Sequence, residues 1–148
     1  MAIMAEQQNF ENHTRLVTGY HKVLFPILVL TLIGACVNLY HSLGDHSRLY
    51  NAALILVLVG SFIVLFFYCR VFALKAQDRA IRAEENLRHF ILTGKPLDPR
   101  LGVKQIVALR FAPDEEFVAL AQRAADEQMA PVEIKKAVKN WRADHYRV

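Results

Sequence analysis

The sequence predicts an all-α membrane protein: a two-helix transmembrane hairpin, with the second helix extended into the cytoplasm and followed by a small three-helix cytoplasmic bundle. Two apolar runs carry this prediction, because Val23 to Gly44 and Leu49 to Cys69 contain no Asp, Glu, Lys or Arg. A helix rising about 1.5 Å per residue crosses the apolar core of a bilayer, about 30 Å thick, in roughly 20 residues. We therefore predict spans at about 23–41 and 50–70, within a hairpin of residues 22–72.

The third observation is the distribution of positive charge, which predicts the orientation. Lys and Arg flank the two runs at Arg15, Lys22, Arg70, Lys75, Arg79 and Arg82, whereas the connecting loop holds only Arg48. Positively charged flanks stay on the cytoplasmic side. We expect both termini to be cytoplasmic, with residues 1–21 as a cytoplasmic N-terminal segment. The net charge of +4 follows from this bias and does not by itself indicate nucleic acid.

Small and polar residues within the spans predict where helices pack. Thr31, Gly34, Ala35 and Asn38 recur at spacings of three and four, and Gly60 lies at a similar depth in the second span. Such faces pack against protein in lipid, so we expect Gly34 and Gly60 at the helix–helix contact. Asn38 could line an ion path, but helix packing is favoured. The spans contain no ionisable Asp, Glu, Lys or Arg, which argues against a proton relay.

The loop between the spans contains a possible metal site. His41, Asp45 and His46 could bind Zn²⁺ or Cu²⁺ if the turn brought the three side chains together. A polar interfacial turn is the favoured interpretation, because three ligand types in a short loop recur by chance. We predict no metal, no cofactor and no catalytic residues.

Residues 73–94 predict a continuation of the second helix. Alanine and larger apolar residues recur there at heptad spacing, which we call the seam: Ala73, Ala76, Ala80, Ala83, Leu87 and Phe90. Asp78 with Arg82 and Glu84 with Arg88 are expected to form i,i+4 ion pairs on the exposed face. The seam either lies on the later helices of its own chain or mediates self-association, and we favour self-association. Gly94 should end the helix.

Residues 98–148 predict a bundle of three helices of about a dozen residues each. Asp98 before Pro99 resembles an N-cap that opens a helix to about Phe111. A second helix begins at residues 112–116 and a third at Pro131. The apolar faces of the last two helices comprise Phe117, Leu120, Ala121 and Ala124, and then Ile134, Val138 and Trp141.

The last predicted helix carries a possible surface for an anionic partner. Its cations are Lys135, Lys136, Lys139 and Arg142. Lipid headgroups or nucleic acid could bind there. The favoured interpretation is that the acidic preceding helix neutralises the patch, so we do not expect nucleic acid as a partner.

Three segments carry a resemblance to a known family: residues 75–82, 105–111 and 134–141. They resemble an uncharacterised family of small bacterial two-span inner-membrane proteins, catalogued as a domain of unknown function. The resemblance covers most of the chain and implies a bacterial cytoplasmic (inner) membrane location. It implies no activity.

The functional expectation is a non-enzymatic inner-membrane scaffold or accessory subunit that self-associates or docks to a larger membrane complex. Membrane lipids and a second copy of the chain are the expected partners. One alternative is a homo-oligomeric pore or channel, although two apolar spans make a poor aqueous lining. Another is a membrane-tethered binder of nucleic acid or anionic lipid through the last helix. An enzyme is not expected, since the sequence shows no Ser/His/Asp or Cys/His set and no phosphate-binding loop.

Overall fold

The computed structural model describes residues 8–14 and 16–145, and within them every regular element is helical. A π-helical segment, Thr18–Leu24, leads into five α-helices: α1 (Phe25–His41), α2 (His46–Thr93), α3 (Val103–Leu109), α4 (Asp114–Asp126) and α5 (Pro131–Ala137). The all-helical prediction is confirmed. Two helical stretches, Thr18–His41 and His46–Thr93, are long and apolar enough to cross a membrane by length and composition.

The chain divides into two compact units. The apolar unit comprises Leu16–Ala73, and the polar unit combines Met1–Arg15 with Leu74–Val148. The segment before the apolar unit therefore groups with the segment after it. The predicted ranges 1–21, 22–72, 73–94 and 98–148 stay predictions, and their outer ends at residues 1–7 and 146–148 lie outside the described residues.

The apolar unit contains α1 and the first part of α2. Pro26 lies in the first turn of α1, directly after the π-helical segment, so its missing N–H coincides with the change from one helix type to the other. Ala35 of α1 and Ala52, Val59 and Phe66 of α2 are buried, which marks the faces on which the two helices are covered. The Tyr20 ring stacks on Phe66 with centroids 4.0 Å apart. Most other apolar side chains of this unit are exposed, as lipid-facing side chains would be.

Both ends of α2 have identifiable local causes. At its start, the Asp45 carboxylate accepts hydrogen bonds from the backbone N–H groups of Ser47 (3.0 Å) and Arg48 (3.4 Å), as an N-cap does. At its end, Gly94 adopts φ +72°, a left-handed conformation that favours glycine, and its N–H bonds the Phe90 carbonyl at 2.8 Å. The predicted helix end at Gly94 is confirmed.

The core of the polar unit forms where α3, α4 and α5 converge. Ala108, Leu109, Phe117, Ala124 and Ile134 have no exposed surface. All four residues of the predicted apolar face of α4 are buried, so that face is confirmed. The acidic first turn of α4 and the proline at the start of α5 also begin those helices as predicted.

The predicted lengths of α3 and α5 are wrong, since each has 7 residues. Asp98 caps a turn rather than a helix, accepting the Arg100 N–H at 2.8 Å, and α3 begins only after Gly102. Helix α5 ends because Val138 is extended (φ −69°, ψ 121°). The N–H groups of the next two residues then bond the Glu116 carboxylate at 2.9 and 3.1 Å, and that of Arg142 bonds the Phe111 carbonyl at 2.7 Å. These N–H groups thus bond acceptors elsewhere in the fold instead of the carbonyls of the preceding helical turn.

A segment before α1, residues 8–14, packs on the end of the polar unit, and we call it the N-terminal strap. Gln8 is buried, and its side-chain oxygen accepts the Asp144 N–H at 2.8 Å. The His13 ring lies 5.7 Å from that of Trp141 and 5.9 Å from that of Phe111, measured between centroids. These contacts join positions 98 to 136 residues apart in the sequence.

Candidate interaction surfaces

One face of α2 in the polar unit carries a buried ion-pair network. The Arg88 side chain, 12% exposed, donates to Glu85 (3.0 Å), to the Asp114 carboxylate (2.6 Å) and to the Ala112 carbonyl (2.9 Å). Its guanidinium also lies 4.3 Å from the centre of the Phe117 ring. Ile81 and Glu85 are buried on the same face. This face therefore packs α2 against α4 and the preceding loop.

The predicted pairing of Glu84 with Arg88 is wrong, because Arg88 bonds Glu85 and Asp114 instead. Glu85 and Arg88 are three residues apart rather than four, and the other partner, Asp114, belongs to α4. A single helix pattern cannot reveal that partner. Arg88 is thus a packing residue rather than part of a solvated face.

A second buried cation lies close by. Arg110 is 8% exposed, and its Nε is 2.9 Å from the Asp144 carboxylate. Burial lowers the Arg110 pKa, while the nearby Asp144, Asp78 and Glu85 carboxylates oppose that shift. Since an arginine stays protonated even so, the charge is retained and needs these carboxylates. Sequence reasoning missed Glu85, Arg110 and Gln8, because none belongs to a periodic apolar pattern.

The seam lies away from this buried face of α2. At 3.6 residues per turn, its members fall roughly 80° to 180° around the helix from Ile81. Ala76, Ala80 and Ala83 are exposed, as are Leu87 (59%) and Phe90 (53%), and Ala73 is partly covered. The later helices of the same chain therefore pack on another face. The seam's role in self-association stays a prediction.

The predicted packing residues of the spans are exposed as well. Thr31, Gly34 and Asn38 are exposed, and Gly60 is partly covered. A Cβ added at Gly34 or Gly60 would meet nothing within 4 Å, so the expected contact between these two glycines is absent from the described residues. The one buried residue of α1 is Ala35, which lies on the same side of the helix, roughly 40° to 100° around it from the other three. Thr31, Gly34 and Asn38 thus form an exposed, small and polar surface beside it.

In the loop before α2, the Asp45 carboxylate stabilises the start of the helix. Asp45 caps α2 and pairs with Arg48 at 3.1 Å, which engages the oxygens that a metal would need. Hydrogen bonds from the Ser47 hydroxyl and the Arg48 backbone lower the Asp45 pKa. Among the described residues, no group of three His, Cys, Asp or Glu side chains is placed to hold a metal ion, and His41 and His46 belong to no such group.

The basic residues near the C-terminus are partly engaged within the polar unit. Lys135 Nζ lies 3.1 Å from His13 Nε2, and Lys136 Nζ lies 5.4 Å from the Phe10 ring, both on the N-terminal strap. Arg142 approaches Glu85 at 3.9 Å. Lys139 is exposed and contributes its backbone N–H to Glu116. The strap therefore covers part of the surface predicted for an anionic partner.

Comparison with known proteins places the chain in a family but gives it no activity. No curated protein and no solved structure matches the chain. The model of one family, described as a family of unknown function (DUF6526), matches residues 4–148. Because the match spans nearly the whole chain, the protein belongs to the DUF6526 family of unknown function.

Proposed function

We propose that this protein is a non-enzymatic integral membrane protein of the bacterial inner membrane that self-associates as a scaffold or accessory subunit of a membrane complex. In this proposal α1 and the first part of α2 cross the bilayer as a hairpin. The polar unit then lies in the cytoplasm. The seam on α2 and the small, polar face of α1 bind the neighbouring copy.

The shared membership of the polar unit supports the hairpin. Residues before the apolar unit and residues after it belong to one compact unit, joined by the Gln8–Asp144 hydrogen bond and the His13–Trp141 contact. Both must then lie on the same side of the bilayer, which requires an even number of crossings. The two long apolar helices supply that number. The positive flanks favour the cytoplasmic side.

The exposed seam carries the proposal of self-association. Leu87 and Phe90 keep more than half of their surface in contact with solvent, although the same helix buries Ile81 and Glu85 against its own chain. Alanine at the preceding seam positions allows close approach of two backbones, as in a helical interface. A second copy presents the same alanines at the same distance from the membrane, so the seams of neighbours meet in register. Thr31 and Asn38 gain a protein neighbour in the same assembly.

Cysteine labelling tests the topology directly. Cys36 and Cys69 are first replaced by alanine, and single cysteines are then placed at Leu43, which is 62% exposed, or at the exposed Ala143. An impermeant thiol reagent added to the periplasmic side should label the cysteine at 43 and leave that at 143 unlabelled until the cells are permeabilised. Labelling of both positions from outside would contradict the two-span hairpin. The reverse pattern would contradict its orientation.

A further inference from the structure

A groove of about 510 Å³ runs along α2 in the polar unit, away from the buried face, and one residue of the seam, Ala83, lines it. One wall is α2 itself, and the other is the loop after α2 together with the start of α3. The main lining side chains are Arg79, Arg82, Asn86, Leu97, Leu101 and Ile106. The two walls differ in chemistry.

The α2 wall carries positive charge that the protein does not neutralise. Arg79 and Arg82 are exposed, and among the described residues neither forms an ion pair or a side-chain hydrogen bond. The one carboxylate in the groove, Asp98, is engaged by Arg100 through hydrogen bonds of 2.7 to 3.1 Å. Two guanidinium groups one helical turn apart are therefore available to an anion. Arginine suits phosphate, because its planar donors match phosphate oxygens.

The opposite wall is apolar and poor in donors. Leu97, Leu101 and Ile106 are each at most 7% exposed, and Pro96 and Pro99 have no backbone N–H to offer a ligand. On the α2 wall, the Asn86 side-chain oxygen accepts a hydrogen bond from the Leu97 N–H at 2.9 Å, so that acceptor is occupied. A small, fully hydrated anion gains nothing from the apolar wall. An amphiphile with a phosphate and adjoining methylene groups contacts both walls.

We infer that this groove binds an anionic glycerophospholipid of the surrounding bilayer, an inference that rests on the proposed membrane location. Arg79 and Arg82 hold the phosphate, and the glycerol and first methylene groups lie against Leu97 and Ile106. Arg79 follows Arg70, the first cation after the apolar run, by nine residues of the same helix, about 14 Å. In this proposal, a headgroup layer of roughly 5–8 Å, the tilt of the helix and the reach of a long arginine side chain together cover the distance between Arg79 and the lipid phosphate.

Lipid binding to the full-length protein in nanodiscs or mild detergent tests this inference. Native mass spectrometry counts bound phosphatidylglycerol against phosphatidylcholine, and wild type should prefer phosphatidylglycerol. Each arginine near the surface contributes about 1 kcal/mol towards an anionic lipid, about a five-fold change in affinity. The double variant Arg79→Gln, Arg82→Gln should therefore lose about 25-fold in affinity for phosphatidylglycerol.

A matched control removes the same charge elsewhere. The double variant Lys136→Gln, Lys139→Gln should keep the preference for phosphatidylglycerol, and loss of the preference in this variant alone would overturn the groove as the site. Release of the lipid by millimolar inorganic phosphate would also overturn it, because free phosphate would then be the better ligand.

The failure of this inference differs from the failure of the proposed function. A chain that stays in the membrane after alkaline carbonate washing, yet binds both lipids equally, contradicts only the groove. A chain that the wash removes contradicts the membrane location itself.

Discussion

Replacing Arg88 by methionine should destabilise the polar unit more than any comparable surface change. Methionine keeps an unbranched apolar stem but is shorter than arginine, and it removes the charge and the donors. Glu85, whose side chain is 7% exposed, then loses its 3.0 Å ion pair and is left with Arg142 at 3.9 Å and the nearby charge of Arg110. Breaking a buried pair by removing one partner costs about 3–5 kcal/mol, because it leaves an uncompensated charge. The Ala112 carbonyl also loses its side-chain donor.

The expected loss in the free energy of unfolding is therefore about 3–4 kcal/mol. A control variant, Arg123→Met, removes an arginine that is 49% exposed and 3.9 Å from Glu127, and such surface pairs contribute about 0–1 kcal/mol. Amide hydrogen exchange of α3, α4 and α5 in the detergent-solubilised protein reports both values, since it measures opening of this unit alone. Equal protection in the two variants would refute the assignment of Arg88 as the residue that holds α2 to α4.

Two further predictions concern the polar unit. Hydrogen bonds from the Lys139 and Asn140 backbones lower the Glu116 pKa, so their stabilisation is complete above the ordinary value of 4.5 and is lost as the pH falls through the lower folded value. Glu116→Gln should lower the free energy of unfolding by about 1 kcal/mol at pH 7, and the variant should lose less thermal stability than wild type between pH 5 and 3. A melting temperature with the same pH dependence in both proteins would contradict the hydrogen bonds to Glu116. Gly94→Ala should lower the free energy of unfolding by about 1 kcal/mol, because φ is +72° there. The control Gly102→Ala, at φ −74°, should lower it less. Equal losses in thermal unfolding would contradict the left-handed helix end.

Local signals in the sequence predicted the helix starts and ends that depend on one residue's own backbone. Pro131 begins α5 and Gly94 ends α2 because their allowed backbone angles act locally. The end of α5 at Ala137 was not predictable, since the backbone after it bonds Glu116 on α4 and Phe111 near the end of α3. Only the folded chain brings those acceptors near.

The face on which α2 packs shows the same limit. Heptad spacing identified the seam from Ala73 to Phe90 as an apolar face, but α2 meets its own chain through Ile81, Glu85 and Arg88. In a helix pattern the arginine is assigned to the solvated face, because its partners Asp114 and Ala112 lie about 25 positions away. The N-terminal strap was missed for the same reason. Its contacts with Asp144 and Trp141 have no periodic signature.

The mass of the protein in mild detergent, measured by light scattering, tests the central claim of self-association most directly. Wild type should be an oligomer, and the double variant Ala76→Glu, Ala80→Glu should be a monomer, because it places like charges across the seam. The control variant Ala119→Glu, Val132→Glu adds the same charge at exposed positions on α4 and α5 and should leave the mass unchanged. A monomeric wild type, or an unchanged oligomer in the Ala76→Glu, Ala80→Glu variant, would contradict the account.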